Sequence, residues 1–208
     1  MPAPVTLQQV LEDPRIWRAR QGHARPVSPY PTGCAALDAV LPEGGWPADA
    51  VTELLLQADG QGELSLLLPL LAAQSRRSLP ILWVAPPYRP YLPALVRAGL
   101  AANQVHVLEV APRDALWALE QGLRAGCCGA VLGWLLQPIE DRALRRLQLA
   151  AEAGHTPGFL FRPNRVAAQA SPAALRLWVE ADAEGTRLRV LKARGGMPVQ
   201  GWIRPALH

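Results

Sequence analysis

Thr52-Glu-Leu-Leu-Leu-Gln-Ala-Asp-Gly-Gln-Gly-Glu-Leu-Ser65 runs from an apolar strand through a glycine turn into the start of a helix. This is the layout of a phosphate-binding loop. Such a loop cradles phosphates in backbone N–H groups, neutralises them with a lysine and holds Mg²⁺ with a Ser or Thr hydroxyl. Here Gly60 and Gly62 supply the turn, but Glu63 stands at the lysine position and Leu64 at the first hydroxyl position, leaving Ser65 nearby. The chain's one lysine is Lys192, far downstream. Two unit charges about 4 Å apart interact by roughly 4 kcal/mol at an effective dielectric near 20, so exchanging a cation for a carboxylate weakens triphosphate binding by orders of magnitude. Glu63 also falls in the first helical turn, where the macrodipole favours an acid. Both readings predict no bound nucleotide.

Outward from this stretch, short apolar runs alternate with helical patterns. Strands are expected over 50–56, 79–85, 105–109, 129–135 and 158–161, and helices over 34–40, 63–75, 91–98, 113–124 and 140–153. Strands of 4–8 apolar residues separated by helices signal βαβ units and a mostly parallel sheet covered on both faces. Residues 175–180 and 186–192 flank Ala181-Asp-Ala-Glu-Gly185 and read as an antiparallel hairpin. Near the start, Leu7, Val10 and Leu11 have helical spacing with Thr6 as cap, before Gly22, Pro26, Pro29 and Pro31 exclude regular structure. The expected division is an N-terminal helical arm and linker at 1–30, a core at 31–196 and a Gly/Pro-rich tail at 197–208.

At 208 residues, half of them apolar, the chain can bury a sizeable core. A net charge of +4 and a pI near 9.4, carried almost wholly by arginine, suit phosphate or carboxylate partners without requiring them. Cys34, Cys127 and Cys128 are odd in number and lack metal-ligand spacing, which points to a reducing cytoplasm and away from zinc or a disulfide framework. No signal peptide, membrane span or cofactor is expected. No catalytic set can be assembled from the scattered His23, His106, His155 and His208.

Thr32-Gly-Cys-Ala-Ala-Leu-Asp38, then Gly44-Gly-Trp-Pro47, a strand and the glycine turn resemble the entry to a RecA-type core. Leu11-Glu-Asp-Pro-Arg-Ile-Trp-Arg18, Gly60-Gln-Gly-Glu-Leu64, Ala85-Pro-Pro-Tyr88, Leu147-Gln-Leu-Ala-Ala-Glu152 and Phe161-Arg-Pro163 together resemble the ImuA family of bacterial translesion synthesis. That resemblance implies a RecA-like α/β fold and a non-catalytic accessory role in an SOS-induced mutasome. Its implied partners are ImuB, RecA and, indirectly, an error-prone DnaE-type polymerase. Measured against a RecA-type ATPase, the chain lacks the metal-organising aspartate, since β-strand 130–134 ends in Gly133-Trp134, and the water-polarising glutamate, since Ala85-Pro-Pro87 follows residues 81–84. Lys192 and Arg194 resemble the basic pair that RecA proteins extend toward a neighbouring subunit, and Glu63 of another copy, or an acid on a RecA-like partner, is their expected counterpart.

The remaining candidates are interfacial. Leu7, Leu11, Ile16 and Trp17 in the arm and Trp202 in the tail join Lys192 and Arg194 as expected partner contacts, because tryptophan is enriched at binding hot spots. Most of the tryptophans are assigned to the core or its edge. Arg142, Arg145, Arg146, Arg162 and Arg165 are candidates for sequence-independent contact with a DNA backbone, against the plainer reading of a solvated arginine face. Two alternatives stand beside the main reading: a divergent ATPase with arginine replacing lysine, and a cell-division inhibitor resembling SulA. Co-purification with FtsZ rather than ImuB or RecA selects the latter.

Overall fold

The computed structural model describes residues 28–196 and 201–205, so the expected arm residues Leu7, Leu11, Ile16 and Trp17 lie outside it. The elements in chain order are α1 (Ala35–Asp38), β1 (Val51–Leu56), α2 (Glu63–Arg76), β2 (Ile81–Val84), α3 (Leu92–Arg97), β3 (Val105–Leu108), α4 (Pro112–Arg124), β4 (Ala130–Trp134), α5 (Asp141–Gly154), β5 (Gly158–Pro163), β6 (Leu175–Asp182) and β7 (Gly185–Ala193). The strands form one seven-stranded sheet in the order β3-β2-β4-β5-β1-β6-β7. Every pairing is parallel except the β6–β7 hairpin. The mixed α/β class, the mostly parallel sheet and the closing hairpin follow the sequence pattern closely.

The reason lies in two covered faces. Leucines of α2, with Leu37 of α1 and Leu95 of α3, pack on Leu54, Trp83, Leu132, Phe159 and Leu177. Leu119 and Leu123 of α4 and Leu144 and Leu147 of α5 pack on Val51, Val84, Val131 and Leu160. Central strands therefore read as continuous apolar runs rather than alternating ones. Trp134, at the strand end where a metal-binding aspartate was sought, stacks on Trp83 at 5.3 Å and on Phe161 at 4.4 Å between centroids. Such pairs add about 0.5–1.5 kcal/mol each beyond area burial. The position is a rung of a three-strand aromatic stack.

The two sheet edges differ. On the outer side of β7, Leu188 and Ile203 exchange backbone N–H···O bonds of 2.8 Å, so part of the expected tail pairs as an added bridge. β3 is the terminal strand on the other side.

Candidate partner-docking surface

The glycine turn is occupied by the protein itself. Gly60 and Gly62 have φ of +79° and +85°, and the Gly60 N–H donates to Glu63 Oε1 at 3.1 Å. Glu63 is only 5% exposed, and its carboxylate takes an amide that a phosphate-binding loop would offer to its ligand. The hairpin closes the other side: Thr186 Oγ1 donates to the Gln61 carbonyl at 2.9 Å, and the Ala181 N–H donates to Gln61 Oε1 at 2.8 Å. A Cβ on Gly62 would lie 2.0 Å from Thr186 Oγ1. Ser65 stands one turn into α2, half-buried.

Lys192 and Arg194 are elsewhere. They lie six and eight residues along β7 from Thr186, about 20 Å or more at ~3.4 Å per residue. Lys192 Nζ donates to the Ser171 carbonyl at 2.6 Å, while Arg194 pairs with Glu152 at 3.1 Å. Burial holds the Lys192 ammonium below its ordinary pKa, helped by the charges of Arg194 and Arg176. Within one chain the basic pair and Glu63 do not meet. Trp202 sits half-exposed with the Arg187 guanidinium 4.4 Å above its ring.

Inside the sheet is a cluster that the apolar reading of residues 50–56 passed over. Glu53, on β1, is buried and accepts from Arg162 Nη1 and Arg176 Nε, each at 2.6 Å. The parallel register explains it: Glu53 faces Arg176 directly, and Arg162 sits two residues beyond its partner Leu160 on the same face. Arg176 also donates to the carbonyls of Val166, Ala167 and Gln169, fastening the loop after β5 to the sheet.

This geometry corrects the DNA assignment. Arg162 is 3% exposed and committed to Glu53, so no backbone phosphate reaches it. Arg146 pairs with Glu120 on α4, and Arg165 donates to the Leu136 carbonyl at 3.1 Å. Arg142 and Arg145 remain on the exposed face of α5. The five arginines do not form one basic surface.

Several of the exposed apolar residues lie instead near the β3 edge. Tyr88 and Tyr91 are 74% and 70% exposed, and Leu92, Val96 and Leu108 are also largely open. Leu92 lines a cavity of about 430 Å³ with Arg89, Pro90, Val105, Val107 and Glu109, and Arg89 bridges to Glu109 at 2.8 Å. The chain passing here is Ala85-Pro-Pro-Tyr-Arg-Pro-Tyr-Leu-Pro93. Its prolines prevent a helix or central strand from carrying the tyrosines inward, a signal that was present in the sequence but not used to assign an interface. Trp117 on α4 is an exception among the tryptophans assigned mostly to the core, being 64% exposed.

A family profile described as "Cell division inhibitor SulA" matches residues 49–158, which spans β1 to the first residue of β5 and includes the exposed tyrosine segment. The chain belongs to the SulA family. It is 33% identical over 116 residues to the cell division inhibitor SulA of Serratia marcescens, covering 55% of this chain and 68% of that protein. It is 35% identical over 120 residues to SulA of Yersinia pestis (strain Pestoides F), covering 56% and 71%. The crystal structure of SulA from Pseudomonas aeruginosa aligns with a TM-score of 0.44 at 28% identity, covering 54% of this chain and 97% of that one.

Membership of the SulA family overturns the resemblance to ImuA. With it go the translesion-synthesis role, the description as a RecA-like pseudo-ATPase, and ImuB, RecA and the DnaE-type polymerase as partners. Those of the short motifs that fall in the described residues were a glycine turn, a strand exit, a helix face and a strand end. A shared α/β layout requires such pieces in this order whatever the partner, so they carried fold and not family.

Proposed function

We propose that this chain inhibits bacterial cell division by binding the division protein FtsZ, and that the tyrosine-rich surface beside β3 makes the contact. The observation that carries this reading is the exposure of Tyr88, Tyr91, Leu92 and Val96 on the segment and helix that run beside a terminal strand. An apolar group of this kind on a folded protein marks an interaction site, and buried tyrosines are over-represented among interface hot spots. The surface also falls within the residues matched by the family profile.

As an inhibitor that acts by binding, the chain has no reaction to catalyse. The finer expectation of a RecA-like core is supported by the place of β1, central in the sheet with the glycine turn at its carboxyl end. The engagement of Gly60 by Glu63 supports a turn that holds no nucleotide. Lys192, Arg194 and Trp202, with arm residues Leu7, Leu11, Ile16 and Trp17, are proposed as secondary contacts. The division into arm, core and tail is retained on the same footing. Among the described residues no helix is long and apolar enough to cross a membrane, and a division inhibitor acting on FtsZ is placed in the cytoplasm.

The test is inhibition of purified FtsZ assembly, followed by sedimentation and light scattering. The wild-type chain is expected to reduce polymer mass, the Tyr88→Ala/Tyr91→Ala variant to lose that effect, and Trp117→Ala on the opposite sheet face to keep it. Full inhibition by the double variant would move the interface away from β3.

A further inference from the structure

On the sheet face covered by α1 and α2 there is a second cavity, of about 400 Å³, walled by Leu37, Trp46, Leu66, Leu68, Pro69 and Ala98. It is formed by a close approach: Gly33, at φ +81°, lets the chain entering α1 pass under Pro69, where a Cβ would lie 2.8 Å from the proline ring. Arg97 stands at this cavity, exposed and without an acidic partner among the described residues. Trp46 is fully buried, and its indole Nε1–H has no acceptor among the described residues. Buried tryptophan N–H groups ordinarily find a partner, and leaving one unmade costs about 1–3 kcal/mol. Arg97, an exposed cation, stands beside a hollow whose walls are largely apolar but also carry Thr32, Cys34 and Ser65, and this suits a ligand with an apolar body and an anionic head.

We infer that this cavity binds a small amphipathic organic anion of the monocarboxylate class, with the carboxylate on Arg97 and the hydrocarbon against Leu37, Leu66, Leu68 and Pro69. Ligand pockets are typically concave, mostly apolar and fitted with a few placed polar groups. The site is separate from the tyrosine surface and its reading does not depend on FtsZ.

The probe is sodium decanoate, titrated into the full chain by calorimetry, with 1-decanol as the uncharged counterpart. Cys34 also lines the cavity, so slowed alkylation of Cys34 by iodoacetamide, read by peptide mass spectrometry, reports occupancy independently. Decanoate is expected to bind saturably, to protect Cys34 and to bind about two- to fivefold more tightly than decanol, since solvent screens an ion pair made by an exposed arginine. Arg97→Ala should lose about two- to fivefold in decanoate affinity, and Leu68→Trp, which fills the cavity, should abolish binding while FtsZ inhibition persists. No saturable binding, or equal affinity in Arg97→Ala, overturns the assignment.

Discussion

Replacing Glu53 by glutamine should be among the most destabilising single changes in this protein. The glutamine keeps the volume of the side chain but leaves one acceptor oxygen where two guanidiniums each held a carboxylate oxygen at 2.6 Å. The new amide NH₂ then faces a donor. Arg162 fares worst, because its Nε has no partner even in the intact cluster, whereas Arg176 keeps three loop carbonyls. Breaking a buried ion pair by removing one partner costs about 3–5 kcal/mol. At about 2–4 °C per kcal/mol for a chain of this size, Tm should fall by about 6–20 °C. Arg162→Met should cost less, about 1–3 kcal/mol, since Glu53 retains Arg176. Urea unfolding followed through the buried Trp46, Trp83 and Trp134 measures both, with the slope m expected to stay constant. A loss under about 1 kcal/mol for Glu53→Gln, or a larger loss for Arg162→Met, would refute the reasoning.

Gly62→Ala should cost about 2 kcal/mol or more, from the left-handed backbone and the clash with Thr186, and Thr186→Ala should recover part of it. Gly60→Ala, at a similar φ but with open space around the new Cβ, should cost only about 1–2 kcal/mol; equal losses at both sites in urea unfolding would remove Thr186 from the explanation. Arg204 holds the Asp182 carboxyl down to about 2 from an ordinary value of 3.8. A depressed carboxylate contributes in full above its unfolded pKa and is lost as pH falls from about 4 through about 2. Residues 201–205 should therefore release in that window, and Asp182→Asn should release them at neutral pH, read as faster amide exchange at Leu188 and Ile203. Tyr88→Ala/Tyr91→Ala should leave the unfolding free energy from urea titration within about 0.5 kcal/mol of wild type while losing FtsZ inhibition; a large stability loss would make those tyrosines part of the core.

The strand and helix sequence was legible because a two-sided parallel sheet writes itself as apolar runs separated by amphipathic helices. Residues 50–56, 129–135 and 158–161 follow that rule, and the glycine turn at 60–62 marks the exit from β1. Glu53 was hidden by the same rule. One acid within an apolar run changes the run's character little, and its partners lie 109 and 123 residues away. Arg162 illustrates the cost: a cation near a loop reads as solvent-facing until the register with β1 places it inside.

By itself, then, the sequence determined the α/β class, the order of elements, the hairpin at the end and the glycine turn after β1, because each depends on local periodicity and turn chemistry. Tertiary structure alone decided that Arg162 is internal, that Glu63 binds its own turn, that Trp117 faces solvent, and that Tyr88 and Tyr91 lie exposed near β3. Those outcomes depend on which residues strand register and helix packing bring together, and no local pattern encodes a pairing across a hundred residues.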